Sequence, residues 1–128
     1  MKKKLVYLSH PSGGLEDNTK DIEKCIRLLY KNKDFASRFT IVSPVHCYGF
    51  MYNDDWLTYE DGLDMCLELL EHCDFMLCIG DYSNSKGCKK EISVCKHKGV
   101  PVAFIENSEY LENNIQDACI DIIKKFIF

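Results

Sequence analysis

Phe75-Met76-Leu77-Cys78-Ile79-Gly80, then Lys86 to Lys98, then Gly99-Val100-Pro101-Val102-Ala103-Phe104-Ile105 decide the fold. Phe75 to Ile79 is apolar without alternation, the pattern of a central strand covered on both faces, and Gly80 ends it. Lys86 to Lys98 repeats its apolar positions at helical spacing, Gly99-Val100-Pro101 turns the chain, and Val102 to Ile105 is apolar again. Strand, helix and strand within about thirty residues form a unit whose two strands run parallel.

Upstream the same alternation recurs. Leu5 to Leu8 reads as a first strand, stopped by Pro11 and Gly13-Gly14. Asp17 or Asn18 can cap a helix whose Ile22, Cys25, Ile26, Leu28 and Leu29 share a face. Phe39 to Val42 is a second strand, ended by Ser43-Pro44. Thr58 with Asp61 resembles a capping box opening a helix with Leu63, Cys66, Leu67, Leu70 and Cys73 inward. One last helix carries Leu111, Ile115, Ala118, Cys119, Ile122 and Phe126. The order βαβαβαβα predicts an α/β chain, residues 1–128 forming a single domain. Right-handed crossovers make it a three-layer α/β/α sandwich on a doubly wound parallel sheet of four to five strands, Rossmann- or flavodoxin-like. Ligands of such sheets bind beyond the carboxyl ends of the strands, where strand order reverses. That edge is supplied by Ser9–Gly14, Ser43–Trp56, Gly80–Ser85 and Glu106–Ser108.

The composition excludes several classes. The chain has 128 residues, 46% hydrophobic, enough for one core and too apolar for disorder. Sixteen Lys and Arg against 20 Asp and Glu leave −4, which gives no basic surface for nucleic acid. No apolar run approaches the ~20 residues of a membrane span. Met1-Lys2-Lys3-Lys4 resembles the start of a signal peptide, but the apolar stretch ends at Ser9-His10-Pro11, and a cytoplasmic location is expected. The eight cysteines show no two-residue spacing, and most stand among Leu, Ile or Phe; they read as free thiols acting as small hydrophobes.

Glu91 is the most informative residue. On a wheel stepping about 100° per residue with Cys88 at zero, Ile92 falls about 40° to one side, Cys95 about 20° and Glu91 about 60° to the other. None of Lys89, Lys90, Lys96 and Lys98 stands at pairing distance from it along the helix. A carboxylate bordering an apolar stripe without a local cation either reaches solvent at the helix edge or serves a cleft, where desolvation raises its pKa. Ser83-Asn84-Ser85-Lys86-Gly87 leads into that helix, whose start favours anions, although capping alone also explains the serines. Gly13-Gly14 lacks the ending of a phosphate-binding loop. The connection from Ser43 to Leu57 holds Tyr48, Phe50, Met51, Tyr52 and Trp56, aromatics able to stack on a flat base or to pack against a second subunit. His10 and His46 fall at the ligand edge; His72 and His97 read as surface residues. The candidate binding residues at that edge are Ser9, His10, Pro11, Gly13, His46, Trp56, Asp81, Ser85 and Gly87.

Taken in order, these pieces resemble the nucleoside 2-deoxyribosyltransferase-like superfamily, in particular its small bacterial and phage domains of unassigned function. Tyr7-Leu8-Ser9-His10-Pro11 is similar to its Tyr-x-x-Gly-Pro opening, and Cys73-Asp74 before an apolar strand to its Cys-Asp element. Ser85-Lys86-Gly87-Cys88-Lys89-Lys90-Glu91, with Gly99-Val100-Pro101-Val102, is similar to its Ser-x-Gly-x-x-x-Glu helix and Gly-x-Pro-Val strand entry. The likeness runs over roughly residues 5–105. It implies that Glu91 attacks the anomeric carbon of a nucleoside or nucleoside 5′-monophosphate, that Tyr7 orients Glu91, and that Ser85 and Gly87 hold the 5′ end of the sugar. It implies no metal and no other cofactor, and a homodimer or higher homo-oligomer.

Two positions depart from the pattern. His10 stands where the family has glycine, and Cys66 stands where an aspartate would assist the leaving base. Asp64, two residues earlier and about 200° around the helix, is the nearest carboxylate, with Asp61 and Asp81 as further substitutes. The expectation is an N-glycosidase or deoxyribosyltransferase-like enzyme with Glu91, Tyr7 and Asp64 in its catalytic set. The alternatives are a catalytically silent nucleotide-binding module and, third, a structural dimer whose aromatic loop serves assembly.

Overall fold

A computed structural model describes residues 2–11 and 16–127. Four strands, β1 (Lys4–Ser9), β2 (Phe39–Val42), β3 (Phe75–Ile79) and β4 (Val102–Ile105), form one parallel sheet in the order β2-β1-β3-β4. Between and after them run α1 (Glu16–Lys31), α2 (Lys33–Arg38), α3 (Pro44–Tyr48), α4 (Tyr59–Glu71), α5 (Lys86–Lys98), α6 (Ser108–Asn113) and α7 (Ile115–Ile127). Val6 pairs with Ile41 on one side and Phe75 on the other, so β1 is central.

The two-residue period of the strands sorts their side chains into two cores. Val6, Leu8, Leu77, Ile79, Ala103 and Ile105 face one side and pack against α1, α2, α6 and α7. Tyr7 and Met76 face the other and pack against α4 and α5 through Cys66, Leu70 and Cys95. The chain is therefore a three-layer α/β/α sandwich. From β1 the chain leaves towards β2 on the α1 side; from β3 it leaves towards β4 on the α5 side. Those opposite departures open a crevice above the carboxyl ends of β1 and β3.

Three details differ from the sequence reading. The first helical segment is two helices: Asn32 accepts a hydrogen bond from the Phe35 amide and starts α2, which brings buried Phe35 to 5.0 Å from Phe39. Helix α1 begins at Glu16, so Asp17 and Asn18 lie inside its first turn and do not precede it. The last helix is also divided. Asn114 leaves the helical region at φ −132°, ψ 36°, closing α6 on the Tyr110 carbonyl while its own carbonyl receives the Ala118 amide of α7. The Thr58 cap is as expected, accepting from the Asp61 amide at 3.0 Å. All eight cysteines are free thiols, and all but Cys47 are buried. No described helix is long and apolar enough to cross a membrane.

Candidate active site

Tyr7 and Ser9 are two residues apart on β1, so both side chains stand on the α5 side of the sheet. There α5 turns its buried stripe, Cys88, Glu91 and Cys95, towards them. Glu91 is only 7% exposed. Its Oε2 accepts from the Tyr7 hydroxyl, and its Oε1 accepts from Ser9 Oγ at 2.8 Å. Cys88 Sγ lies 3.3 Å from the same Ser9 oxygen. The Ser9 hydroxyl thus has two acceptors within reach, the Glu91 carboxylate and the Cys88 sulfur, and the carboxylate is the stronger of them.

Among the described residues no cation pairs with Glu91. Burial pushes its carboxyl up to about 7, against the opposing pull of the Tyr7 and Ser9 hydrogen bonds. Tyr7 is pushed up as well, by its own burial and by the neighbouring Glu91 charge, and remains a neutral donor. Beneath them Cys78 is raised by its hydrogen bond with Cys88 and by burial, so these two thiols do not ionise together.

Glu91 lines a cavity of about 780 Å³, a size suited to a small organic ligand. The cavity lies at the crevice that the topology creates. Ser9, His10 and Pro11 come from the end of β1, Pro44 and Val45 from the start of α3, Tyr52 from the segment leading into α4, and Tyr59 and Cys66 from α4 itself. Asp81, Ser85, Lys86, Gly87 and Cys88 close it from the end of β3. Gly80 makes the approach of the two strand ends possible. Its φ is +112°, and a β-carbon there would lie 3.0 Å from Pro11 Cδ. Ser85 is the N-cap of α5, accepting from the Cys88 amide at 3.2 Å. Lys86 reaches over the Tyr59 ring, 5.8 Å from its centroid.

The expected residues separate into three groups. Glu91, Ser9, His10, Pro11, Asp81, Ser85 and Gly87 surround one cavity, with Tyr7 bonded to Glu91 behind its wall. Gly13 lies outside the described residues. Asp64, His46 and Trp56 do not line the cavity. Asp64 is exposed on α4, as is Asp61. His46 bridges Ser43 and Glu23, 2.8 Å from each, and fastens α3 to α1. Trp56 is 66% exposed and bonds Asp54 through its indole nitrogen. The Ser43–Leu57 connection is not structureless, because α3 and a 3-10 turn at Gly49–Met51 fold its first half. Of its aromatics Tyr52 faces the cavity and bonds Cys66 Sγ at 3.4 Å, whereas Phe50 is 80% exposed. Glu106 to Ser108 line nothing there, since β4 lies beyond β3, away from the reversal of strand order, and Asn107 caps α6 instead.

None of the three carboxylates considered as proton donors suits that task. Asp61 and Asp64 are outside the cavity. Asp81 lines it, but hydrogen bonds from the Ser83 hydroxyl and amide hold its carboxyl below the ordinary range, so it stays ionised and has no proton to give near neutral pH. Asp21 is the residue that sequence reasoning missed. Its Oδ2 lies 2.8 Å from His10 Nε2. The signal available was its spacing of four residues from Cys25, which puts an acid on the buried stripe of α1. Among the described residues no group of three His, Cys, Asp or Glu side chains is placed to hold a metal ion.

No curated protein matches the chain. A family model described as a domain of unknown function, DUF7768, matches residues 4–105. That span runs from the first residue of β1 to the last of β4 and contains every described residue of the cavity. The chain belongs to this family of domains of unknown function.

Proposed function

We propose that the chain is an N-glycosidase or deoxyribosyltransferase-like enzyme that cleaves the N-glycosidic bond of a nucleoside or nucleoside 5′-monophosphate, with Glu91 as nucleophile. One observation carries this reading: a buried carboxylate with no cation partner among the described residues, held by two hydroxyl donors, on the wall of a cavity at the strand ends. Two fixed donors aim the carboxylate, and its raised pKa gives it the basicity of a nucleophile near neutral pH. Its ionised oxygen attacks the anomeric carbon, the pair of the broken C–N bond leaves on the base, and water or a second base resolves the glycosyl-enzyme. The amides at the start of α5, with Ser85 and Lys86, supply donors and charge for the 5′ end of the sugar. A cytoplasmic setting that keeps the thiols reduced, and a homodimer burying the exposed Phe50 and Trp56, belong to the same reading.

The test is release of free base from a panel of nucleosides and their 5′-monophosphates. Wild-type protein is expected to release base, and Glu91→Gln to abolish release while keeping its fold; undiminished release by that variant would falsify the assignment. A second reading, a silent nucleotide-binding module, is favoured by Cys66 occupying the cavity wall where a carboxylate donor is wanted. Calorimetry showing tight nucleotide binding without any turnover would select it.

A further inference from the structure

On the reading of Glu91 as nucleophile, we infer that His10, backed by Asp21, is the acid–base residue that protonates the departing base and then activates water. His10 lines the same cavity as Glu91 and follows Ser9, which holds that carboxylate. Its side chain is 8% exposed, and its Nε2 lies 2.8 Å from Asp21 Oδ2. Burial works against the Asp21 charge, but hydrogen bonds from Ser108 and His10 outweigh it and hold the carboxyl below the ordinary range. An ionised Asp21 accepts the Nε2 proton, which leaves Nδ1 as the ring's exchangeable position. Nδ1 is buried and has no hydrogen-bond partner among the described residues. Buried polar atoms in that condition are rare, and on a residue that lines a ligand-sized cavity such an atom is one that a ligand group can satisfy. A carboxylate behind one imidazole nitrogen, with the other nitrogen held for a reacting group, is the arrangement that steadies an imidazolium in acyl-transfer enzymes.

A Glu91 oxygen bonds the anomeric carbon as the C–N bond breaks; the bond pair moves to the base nitrogen, which takes the proton from Nδ1. Water then gives a proton to Nδ1 and its oxygen bonds the anomeric carbon. The bond to Glu91 breaks, its pair returns to the carboxylate, and the imidazolium is restored. His10 thereby supplies the proton that Asp64 and Asp61, outside the cavity, and Asp81, held ionised by Ser83, do not give.

The experiment compares two leaving groups on wild type, His10→Gln, Asp21→Asn and Glu91→Gln. Nucleosides need the departing base protonated; 4-nitrophenyl ribofuranoside does not, because nitrophenolate leaves as a stable anion. His10→Gln is expected to lose roughly 10²–10⁴-fold in base release while the nitrophenolate burst stays within a few-fold of wild type. Asp21→Asn is expected to shift both readouts in the same direction by less. Glu91→Gln is expected to lose both. Equal losses on the two substrates in His10→Gln would make His10 a structural anchor and overturn the proposal alone, as would unchanged base release. No release of base or nitrophenolate by wild type would overturn the Glu91 reading and this proposal with it.

Discussion

At the scale of the residue, Glu91 is costly to the fold that holds it. A carboxyl raised to about 7 in the folded chain, against the ordinary 4.5, binds its proton more tightly folded than unfolded. Its contribution to stability is fully present below about pH 4.5 and is lost as pH rises through 7. Gln fills the same volume, accepts from Tyr7 and donates to Ser9, and never ionises. Chemical denaturation should therefore give Glu91→Gln and wild type nearly equal stability at pH 4, and at pH 8 the variant should be the more stable by about 3 kcal/mol or somewhat less. A variant less stable than wild type at pH 8 would mean that the charge is well accommodated, and the case for a strained functional carboxylate would fail. Removing a buried charge stabilises a protein when that charge is kept for use, a trade common at catalytic groups.

At the scale of the element, the cavity depends on how closely β1 and β3 end. Gly80 carries φ +112° and meets Pro11, whereas Gly99, at φ +74° after α5, has open space around its missing side chain. Both glycines terminate an element, but only the first also fills a tight contact. Gly80→Ala should cost about 1–3 kcal/mol and Gly99→Ala about 1 kcal/mol. Urea midpoints for the two variants measure this, and the reverse order would show that the strand ends are not held by that contact. The elements themselves were largely legible. Phe39–Val42, Phe75–Ile79, Val102–Ile105 and Lys86–Lys98 have the bounds that the sequence suggested, because each is a local run closed by a Gly, a Pro or a polar cap. The breaks at Asn32 and Asn114 were not legible. Their neighbours keep helical spacing, and the change of direction answers to buried Phe35 and Leu111, which is tertiary packing.

At the scale of the whole molecule, the site was readable in part. The wheel placed Glu91 beside the apolar stripe, and the order of elements named four segments after the strands as the ligand edge, three of which do line the cavity, so part of the site could be anticipated from spacing. Which side chains of each edge segment enter the cavity depends on the packing of α1 and α3 over the sheet, and that is not written in local spacing. Hence Asp21 was missed, and Trp56, His46 and Asp64 were expected where they do not lie. The central claim is a covalent bond between Glu91 and a sugar carbon, and intact-protein mass spectrometry tests it most directly. Incubation with 2′-deoxy-2′-fluoronucleosides, whose fluorine slows resolution more than it prevents attack, should add one fluorosugar to the chain, and peptide mapping should place it on Glu91. Base released with no adduct, or an adduct that persists in Glu91→Gln, would contradict the account.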